Sequence, residues 1–283
     1  MIRSVASSRR LRAHCIATAV VAAAGAGMAH AADLDDSYLR GSFPSEERVL
    51  SWDGINFGAQ IGYSSLNVDP EDAASSLVAN SLRNTTLESE FSPQDWTSLP
   101  KQSTNSTQYG FFLGYSAQWD RLVLGVDVAY NRPSSLEASS IDSIARRVTT
   151  SDNTVHDVSI NSSASLKLHD YATIRGRAGY AFGQFLPYAV LGAAVGRFDY
   201  AVSATTVDVF TPSGGTPTVY APPTQTDSKD NAYSAGFVAG LGMDVALLPN
   251  VFLRAEWEYI IFSPVGGIRS QLNTGRVGIG LRF

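Results

Sequence analysis

The sequence predicts an all-β fold, an eight-stranded antiparallel up-and-down transmembrane β-barrel, on three observations. Eight segments alternate apolar and polar residues with a period of two. The links between them are short and long by turns. The last segment runs to the final residue and stops on an aromatic, Phe283. Period-two alternation belongs to strands with one apolar and one polar face, and single-chain membrane barrels have an even strand number with tight turns at one end and long loops at the other.

The chain opens on an export signal. Arg3, Arg9, Arg10 and Arg12 make a basic head, Ile16 to Ala24 an apolar run, and Ala29-His30-Ala31 a small-x-small cleavage pattern. Residues 1–31 are thus expected to be removed as a signal peptide. Cys15, the single cysteine, leaves with it, so no disulfide or thiolate chemistry is expected afterwards. The whole chain has 21 Lys+Arg against 26 Asp+Glu; without the four signal arginines the balance is 17 against 26, or −9. That charge argues against a nucleic-acid partner. No stretch after the signal approaches the length of an apolar transmembrane helix, so a membrane location requires strands.

Residues 32–51 are polar and patternless, with Asp33, Asp35, Asp36, Glu46 and Glu47, and are expected to form a periplasmic lead-in to a barrel over 52–283. The first strand places Ile55, Phe57, Ala59, Ile61 and Tyr63 on one face, with Asn56, Gly58, Gln60 and Gly62 opposite. The second places Tyr109, Phe111, Leu113, Tyr115, Ala117 and Trp119 against Gly110, Gly114 and Gln118. Asp120-Arg121 turn it into the third, with Leu122, Leu124, Val126, Val128 and Tyr130 opposite Gly125 and Asp127.

The fourth strand runs from about Leu166 to Phe182, with Ala172, Ile174, Ala178 and Tyr180 opposite Arg175, Arg177 and Gly179. The fifth, Leu186 to Tyr200, is mostly apolar and less clearly phased. The sixth sets Tyr233, Ala235, Phe237, Ala239, Leu241, Met243 and Val245 against Gly236, Gly240, Gly242 and Asp244. Leu248-Pro249-Asn250 turn it into the seventh, where Val251, Leu253, Ala255, Trp257, Tyr259 and Ile261 oppose Arg254, Glu256 and Glu258. In the eighth, Val277, Ile279, Leu281 and Phe283 oppose Arg276, Gly278, Gly280 and Arg282.

Long loops are expected at about 67–106, 131–165 and 201–230, with an intermediate link at about 262–272. A soluble Greek-key sandwich has no reason to sort its connections this way. In hydrocarbon every backbone polar group needs a partner, so the sheet must close. The outward face then meets lipid, and aromatic girdles are expected from Trp52, Tyr63, Trp119, Tyr130, Trp257 and Tyr259. The inward face is expected to hold a salt-bridged polar network of Asp127, Arg175, Arg177, Asp244, Arg254, Glu256, Glu258, Arg276 and Arg282, plugging a narrow lumen.

The aromatic end, Phe283, resembles the C-terminal signal read by the outer-membrane barrel assembly machinery. Other stretches extend the likeness: Trp52-Asp53-Gly54, Gly62-Tyr63, Gly114-Tyr115, Leu124-Gly125-Val126-Asp127, Leu186-Pro187-Tyr188 and Arg254-Ala255-Glu256, above all Ile174-Arg175-Gly176-Arg177-Ala178-Gly179-Tyr180. They resemble the small porin-like outer-membrane proteins of alphaproteobacteria, a group that includes immunodominant surface antigens and haemin-binding proteins and shares the OmpA-like eight-stranded barrel. The resemblance implies an integral protein of the Gram-negative outer membrane, with both termini periplasmic and contacts to lipid and lipopolysaccharide. The long loops match nothing in that group.

Two functions are expected from this. The first is a structural, porin-like role in the envelope. The alternative is a surface receptor or adhesin that binds haemin or another partner through its loops. His156, Tyr200 and Tyr220 are the candidate haemin ligands. The loop acids Asp69, Glu71, Asp72, Glu88, Glu90 and Asp95 lack the spacing of a calcium loop and read as a solvated surface. An acyl hydrolase on His169-Asp170 needs a placed nucleophile that the sequence does not single out. No catalytic residue, cofactor or metal site is therefore expected.

Overall fold

The computed structural model describes residues 51–283. The expected signal peptide over 1–31 and nearly all of the expected lead-in over 32–51 lie outside the described residues. Ten strands form one antiparallel sheet: β1 (Gly54–Asp69), β2 (Gln102–Trp119), β3 (Leu122–Pro133), β4 (Leu136–Thr149), β5 (Val155–Tyr180), β6 (Phe185–Thr211), β7 (Thr218–Tyr220), β8 (Gln225–Leu248), β9 (Val251–Val265) and β10 (Ile268–Arg282). Eight of them, in the order β1-β2-β3-β5-β6-β8-β9-β10, close back onto β1. The closing seam is the C-terminal strand, paired residue for residue from Asn56↔Arg282 to Asp69↔Arg269. The Phe283 backbone completes it by exchanging hydrogen bonds with Ile55.

The other two strands lie beyond this ring. β4 continues β3 after a break at Ser134-Ser135 and pairs with the first half of β5, while β3 pairs with the second half. β7 adds a short pairing to the end of β6. The ranges expected as loops over 131–165 and 201–230 are therefore largely strand. At about 3.3 Å per residue, β6 is roughly 90 Å long along its own path, more than twice what a tilted strand needs to cross a ~25 Å apolar band. The expected link over 262–272 is also shorter than its sequence suggests. β9 and β10 meet at Gly266-Gly267 alone, both with positive φ (56° and 77°), which a two-residue turn of the mirror-image type requires.

Along the extended strands the two faces exchange character. In β5 the inward residues near the tight turns are Tyr171, Thr173, Arg175 and Arg177, and the outward ones include Ile174 and Ala178. Beyond a register shift between Leu168 and Asp170 the parity flips. Val158, Ile160, Ala164, Leu166 and Leu168 then point inward, and Ser159, Ser163, Ser165 and Lys167 outward. One extra residue in a strand moves every later side chain to the opposite face.

The region 70–101 is no open loop. Two short helices, α1 (Ser75–Ser81) and α2 (Thr86–Phe91), fold against the inner face at the end opposite the tight turns. Leu77 and Val78 of α1, Leu82, and Leu87 of α2 enter one apolar core with Leu66, Ile160, Leu166, Phe198, Ile260, Phe262 and Leu272. α2 is capped at its N-terminus from both directions. The Thr85 hydroxyl accepts from the Glu88 N–H at 3.1 Å, and the Glu88 carboxylate accepts from the Asn84 N–H at 2.8 Å.

Candidate functional site

The lumen has three layers, each explained by which inward residue types its strands contribute. Nearest the tight turns lies an apolar layer of Trp52, Phe112, Leu186, Tyr188 and Phe252. Trp52 was expected in the outer girdle; instead it is buried inside, edge-on to Phe252, with the Arg282 guanidinium 4.6 Å above its ring. The middle layer is ionic. The third layer is the apolar core closed by α1 and α2. Tyr63, Trp119, Tyr130 and Trp257 stand outward and exposed.

The ionic layer brings together eight of the nine residues predicted for it. Register explains part of the assembly: Asp127 faces Arg175 across β3–β5, Asp244 faces Arg254 across β8–β9, and Glu256 faces Arg276 across β9–β10. Arg175 and Arg177 of β5 reach across the lumen to β9 and β8, while Arg276 and Arg254 grip carboxylates of the neighbouring strand. Arg175 Nη1 donates to Glu258 Oε2 at 2.6 Å and also to Glu256. Arg276 Nη2 donates to Glu258 Oε2 at 2.6 Å and to Glu256. Arg177 Nη2 reaches Asp244 Oδ2 at 2.7 Å, and Arg254 grips both oxygens of Asp244 at 3.0 and 3.1 Å.

Asp127 joins these two groups, with Arg254, Arg175 and Arg177 at 3.5, 3.7 and 3.8 Å. Four arginines thus face four carboxylates, all buried. Exposed charges of this kind would be costly in lipid, whereas a paired and hydrogen-bonded cluster is tolerated inside. The ninth residue, Arg282, stays outside the cluster and donates to the Pro249 carbonyl at 2.8 Å.

Aromatic and amide groups seal the layer. Tyr188 donates to Glu256 at 2.9 Å, and its ring carries the Arg177 guanidinium at 3.9 Å. Arg254 lies 4.1 Å over Phe112. On the other side Gln60 donates to Asn131 at 2.6 Å and Tyr171 to Gln108 at 3.0 Å. β6 sends Leu186, Tyr188 and Val190 inward, which is why its apolar run shows no clear phase in the sequence.

A ring of eight strands with lipid-type side chains outside and paired charges inside is the architecture of a membrane barrel. The sequence profile of the outer membrane protein beta-barrel domain family matches residues 17–283. The chain belongs to that family. It is an integral β-barrel protein of the outer membrane. A comparison with curated proteins finds no match.

Among solved structures, the outer-membrane barrel protein is similar to OprG from Pseudomonas aeruginosa at 12% identity and a TM-score of 0.39, over 82% of this chain and 97% of that one. Ail, the attachment invasion locus protein of Yersinia pestis, aligns at 16% identity and a TM-score of 0.32, over 82% and 99% of the two chains. Neisserial surface protein A aligns at 14% and 0.33, over 80% and 97%.

The remaining candidates of this barrel protein sit apart from the lumen charges. His169 does not pair with its neighbour Asp170. Its Nε2 lies 2.5 Å from Asp199 Oδ2, while Asp170 accepts from Arg197. Both pairs lie beside the β5 register shift and act as a polar band on the outer face. The loop acids are spread over structural tasks: Asp69 pairs with Lys101 at 2.8 Å, Glu88 caps α2, and Glu90 accepts from Ser151. Among the described residues no group of three acidic, histidine or cysteine side chains is placed to hold a metal.

His156 and Tyr220 line one cavity of about 540 Å³ at the far end of β5, β6 and β7. Tyr200 is elsewhere, its hydroxyl donating to Asp227 at 3.3 Å. The sequence missed Asp208, which sits 2.7 Å from His156 Nδ1. It lay in a range expected to be loop.

Proposed function

We propose that this barrel has a structural role in the outer membrane, with permeation limited by its ionic plug. One observation carries the reading: the eight-stranded ring closes around a lumen that four arginines, four carboxylates and two apolar layers fill. The tight turns and both termini face the periplasm, and the long hairpins face outward. The chain is exported on the signal over residues 1–31, and the assembly machinery reads the strand that ends in Phe283. Lipid and lipopolysaccharide surround the outward face; nucleic acid is not a partner, and the protein has no catalytic role. Porin-like conductance, if the layer opens, is small and depends on the arginines and glutamates of the plug. The test is the conductance of the refolded protein in a planar lipid bilayer. Silence from a demonstrably folded barrel supports the structural role; stable steps that change on Glu256→Gln replace it with a porin role.

A second reading is favoured by the placement of His156 and Tyr220 on one cavity in the outward hairpins: a surface receptor for a small ligand. Haemin is the ligand that the resemblance to alphaproteobacterial surface antigens supports, because a histidine and a tyrosine are the side chains that ligate haem iron. A haemin titration followed by its visible absorption band tests it, with His156→Gln expected to abolish the histidine-ligated spectrum.

A further inference from the structure

On its lipid-facing side the wall of the barrel is grooved. The groove measures about 510 Å³ and crosses β10, β1 and β2 toward the end of β3. Gly275 opens it. That residue sits on the outward row between Trp257 and Tyr63, and an added Cβ there would meet nothing within 4 Å. The walls are the exposed side chains of Ile61, Tyr109 and Val277. Thr107 and Ser134, whose hydroxyls share a hydrogen bond of 3.2 Å, form the far rim.

The groove changes character along its length. Val277, Ile61, Tyr109 and Arg132 form one outward row across four strands. The stagger of the barrel makes that row climb. A circuit that leaves β8 at Asp244 and passes Arg254, Gln60 and Asn131 returns to β8 at Ser234, farther from the tight turn. Val277 therefore lies low in the apolar band and Arg132 at its upper edge. Arg132 stands one outward position beyond Tyr130, an aromatic of the kind that marks the interface with water.

The upper end is positive. On the neighbouring β5 and β6, Lys167 pairs with Glu137 and Arg197 with Asp170. Asp170 is also the acid nearest to Arg132 in register, one residue beyond the last β3–β5 pair, Asn131↔Tyr171, on each strand. With Arg197 holding that carboxylate, Arg132 is in no ion pair among the described residues. An apolar channel thus ends at an unpaired guanidinium, which binds phosphate through parallel N–H donors.

We propose that this groove holds an acyl chain of lipopolysaccharide and that Arg132 binds its lipid A phosphate. The inference rests on the outward orientation of the hairpins given above, which puts Arg132 in the outer leaflet, and it narrows a general lipid surround to one site. The chain lies along Val277 and Ile61 over Gly275, and the phosphate accepts from Arg132.

The test is native mass spectrometry of the barrel refolded in detergent micelles, with bisphosphorylated lipid A, dephosphorylated lipid A and phosphatidylglycerol as probes. One bisphosphorylated lipid A is expected to stay bound per barrel. Arg132→Gln is expected to weaken it ~10-fold, as loss of a hydrogen bond to a charged group does. Gly275→Leu fills the groove without touching the arginine and is expected to weaken both forms of lipid A. Arg121→Gln, at the tight turn between β2 and β3, removes a cation from the other end and should change nothing. Heat-modifiable gel migration shows that each variant is folded. Retention by Arg132→Gln or by Gly275→Leu equal to that of the parent overturns the inference. Phosphatidylglycerol held as tightly as lipid A, with the same dependence on Arg132, makes the occupant a glycerophospholipid and overturns the lipopolysaccharide assignment. Orientation is read separately, by labelling Ser213→Cys, between β6 and β7, on intact cells with a membrane-impermeant maleimide. An unlabelled cysteine sinks the outward orientation and the leaflet assignment with it. Labelling without any dependence on Arg132 leaves the orientation standing and sinks this site alone.

Discussion

Gly114 and Asp127 face each other across β2 and β3, and a Cβ on Gly114 would come to 2.1 Å from Asp127 Oδ1. The missing side chain is what lets the carboxylate swing into the middle of the ionic layer. Gly114→Ala is expected to destabilise the barrel by about 1–3 kcal/mol, as overpacking does. Gly275, whose added Cβ would meet nothing within 4 Å, serves as the control, and Gly275→Ala should be near neutral. Urea unfolding of the two variants in micelles, followed by heat-modifiable gel migration, measures the difference.

Removing one charge from the layer leaves its partner buried and unpaired. Arg175→Met strips Glu256 and Glu258 of a shared donor, and about 3–5 kcal/mol of stability should be lost. Removing one charge of each sign is gentler. The pair Arg276→Met with Glu258→Leu is expected to unfold closer to the parent than either single variant, because apolar residues of similar volume replace a buried pair at little cost. Unfolding midpoints of the four proteins decide it.

The last residue has two contacts to lose. Its ring stacks on Phe57 at 5.9 Å, nearly parallel, and its backbone completes the seam with Ile55. Phe283→Ala keeps the backbone bonds and drops the aromatic. It is expected to slow assembly into native outer membranes, read as the fraction of heat-modifiable protein over time, while spontaneous refolding in micelles changes little. Equal slowing in both settings would mean that Phe283 acts only through the seam.

Acid should loosen the segment that leads from β1 into α1. The Lys101 ammonium donating to Asp69 holds that carboxyl below its ordinary 3.8. A carboxyl lowered in the folded protein contributes stability that is present above 3.8 and fades as pH falls through the lower folded value. Because Lys101 is fully exposed, the effect is small and local. The protection of amides around residues 69–72 against hydrogen exchange, taken relative to their intrinsic rates, should fall below about pH 4 and remain flat from pH 5 to 7; Lys101→Met should remove that dependence.

How much of this was legible in the sequence depends on what each element had to satisfy. The ring and its charged layer were, because lipid outside and ion pairs inside impose a strict period of two from Ile55 to Tyr63 and from Arg276 to Phe283. The outward extensions were hidden in plain view. Val158, Ile160, Ala164, Leu166 and Leu168 alternate with serines as cleanly as any barrel strand, but with the apolar face turned inward and out of phase with Arg175. A reader expecting apolar residues outside takes that for a loop. Thr85 and Glu88 carry a capping-box spacing that could have located α2. The pairing of His156 with Asp208 needed the β5–β6 register and had no local signal at all.

The exchange of faces at Leu168 and Asp170 has a consequence for how the protein floats. On one side of that point Ile174 and Val195 ask for hydrocarbon; on the other, Lys167, Arg197 and Asp199 ask for water. A rise of two residues, about 7 Å along a strand, would strand apolar groups in solvent, and an equal sinking would drown charges in oil. Both displacements cost, so the chain carries its own draught mark. The level at which it rides in the bilayer is marked where one extra residue of β5 exchanges the faces, and a deletion there would turn the serines of the extension inward and its apolar row toward water.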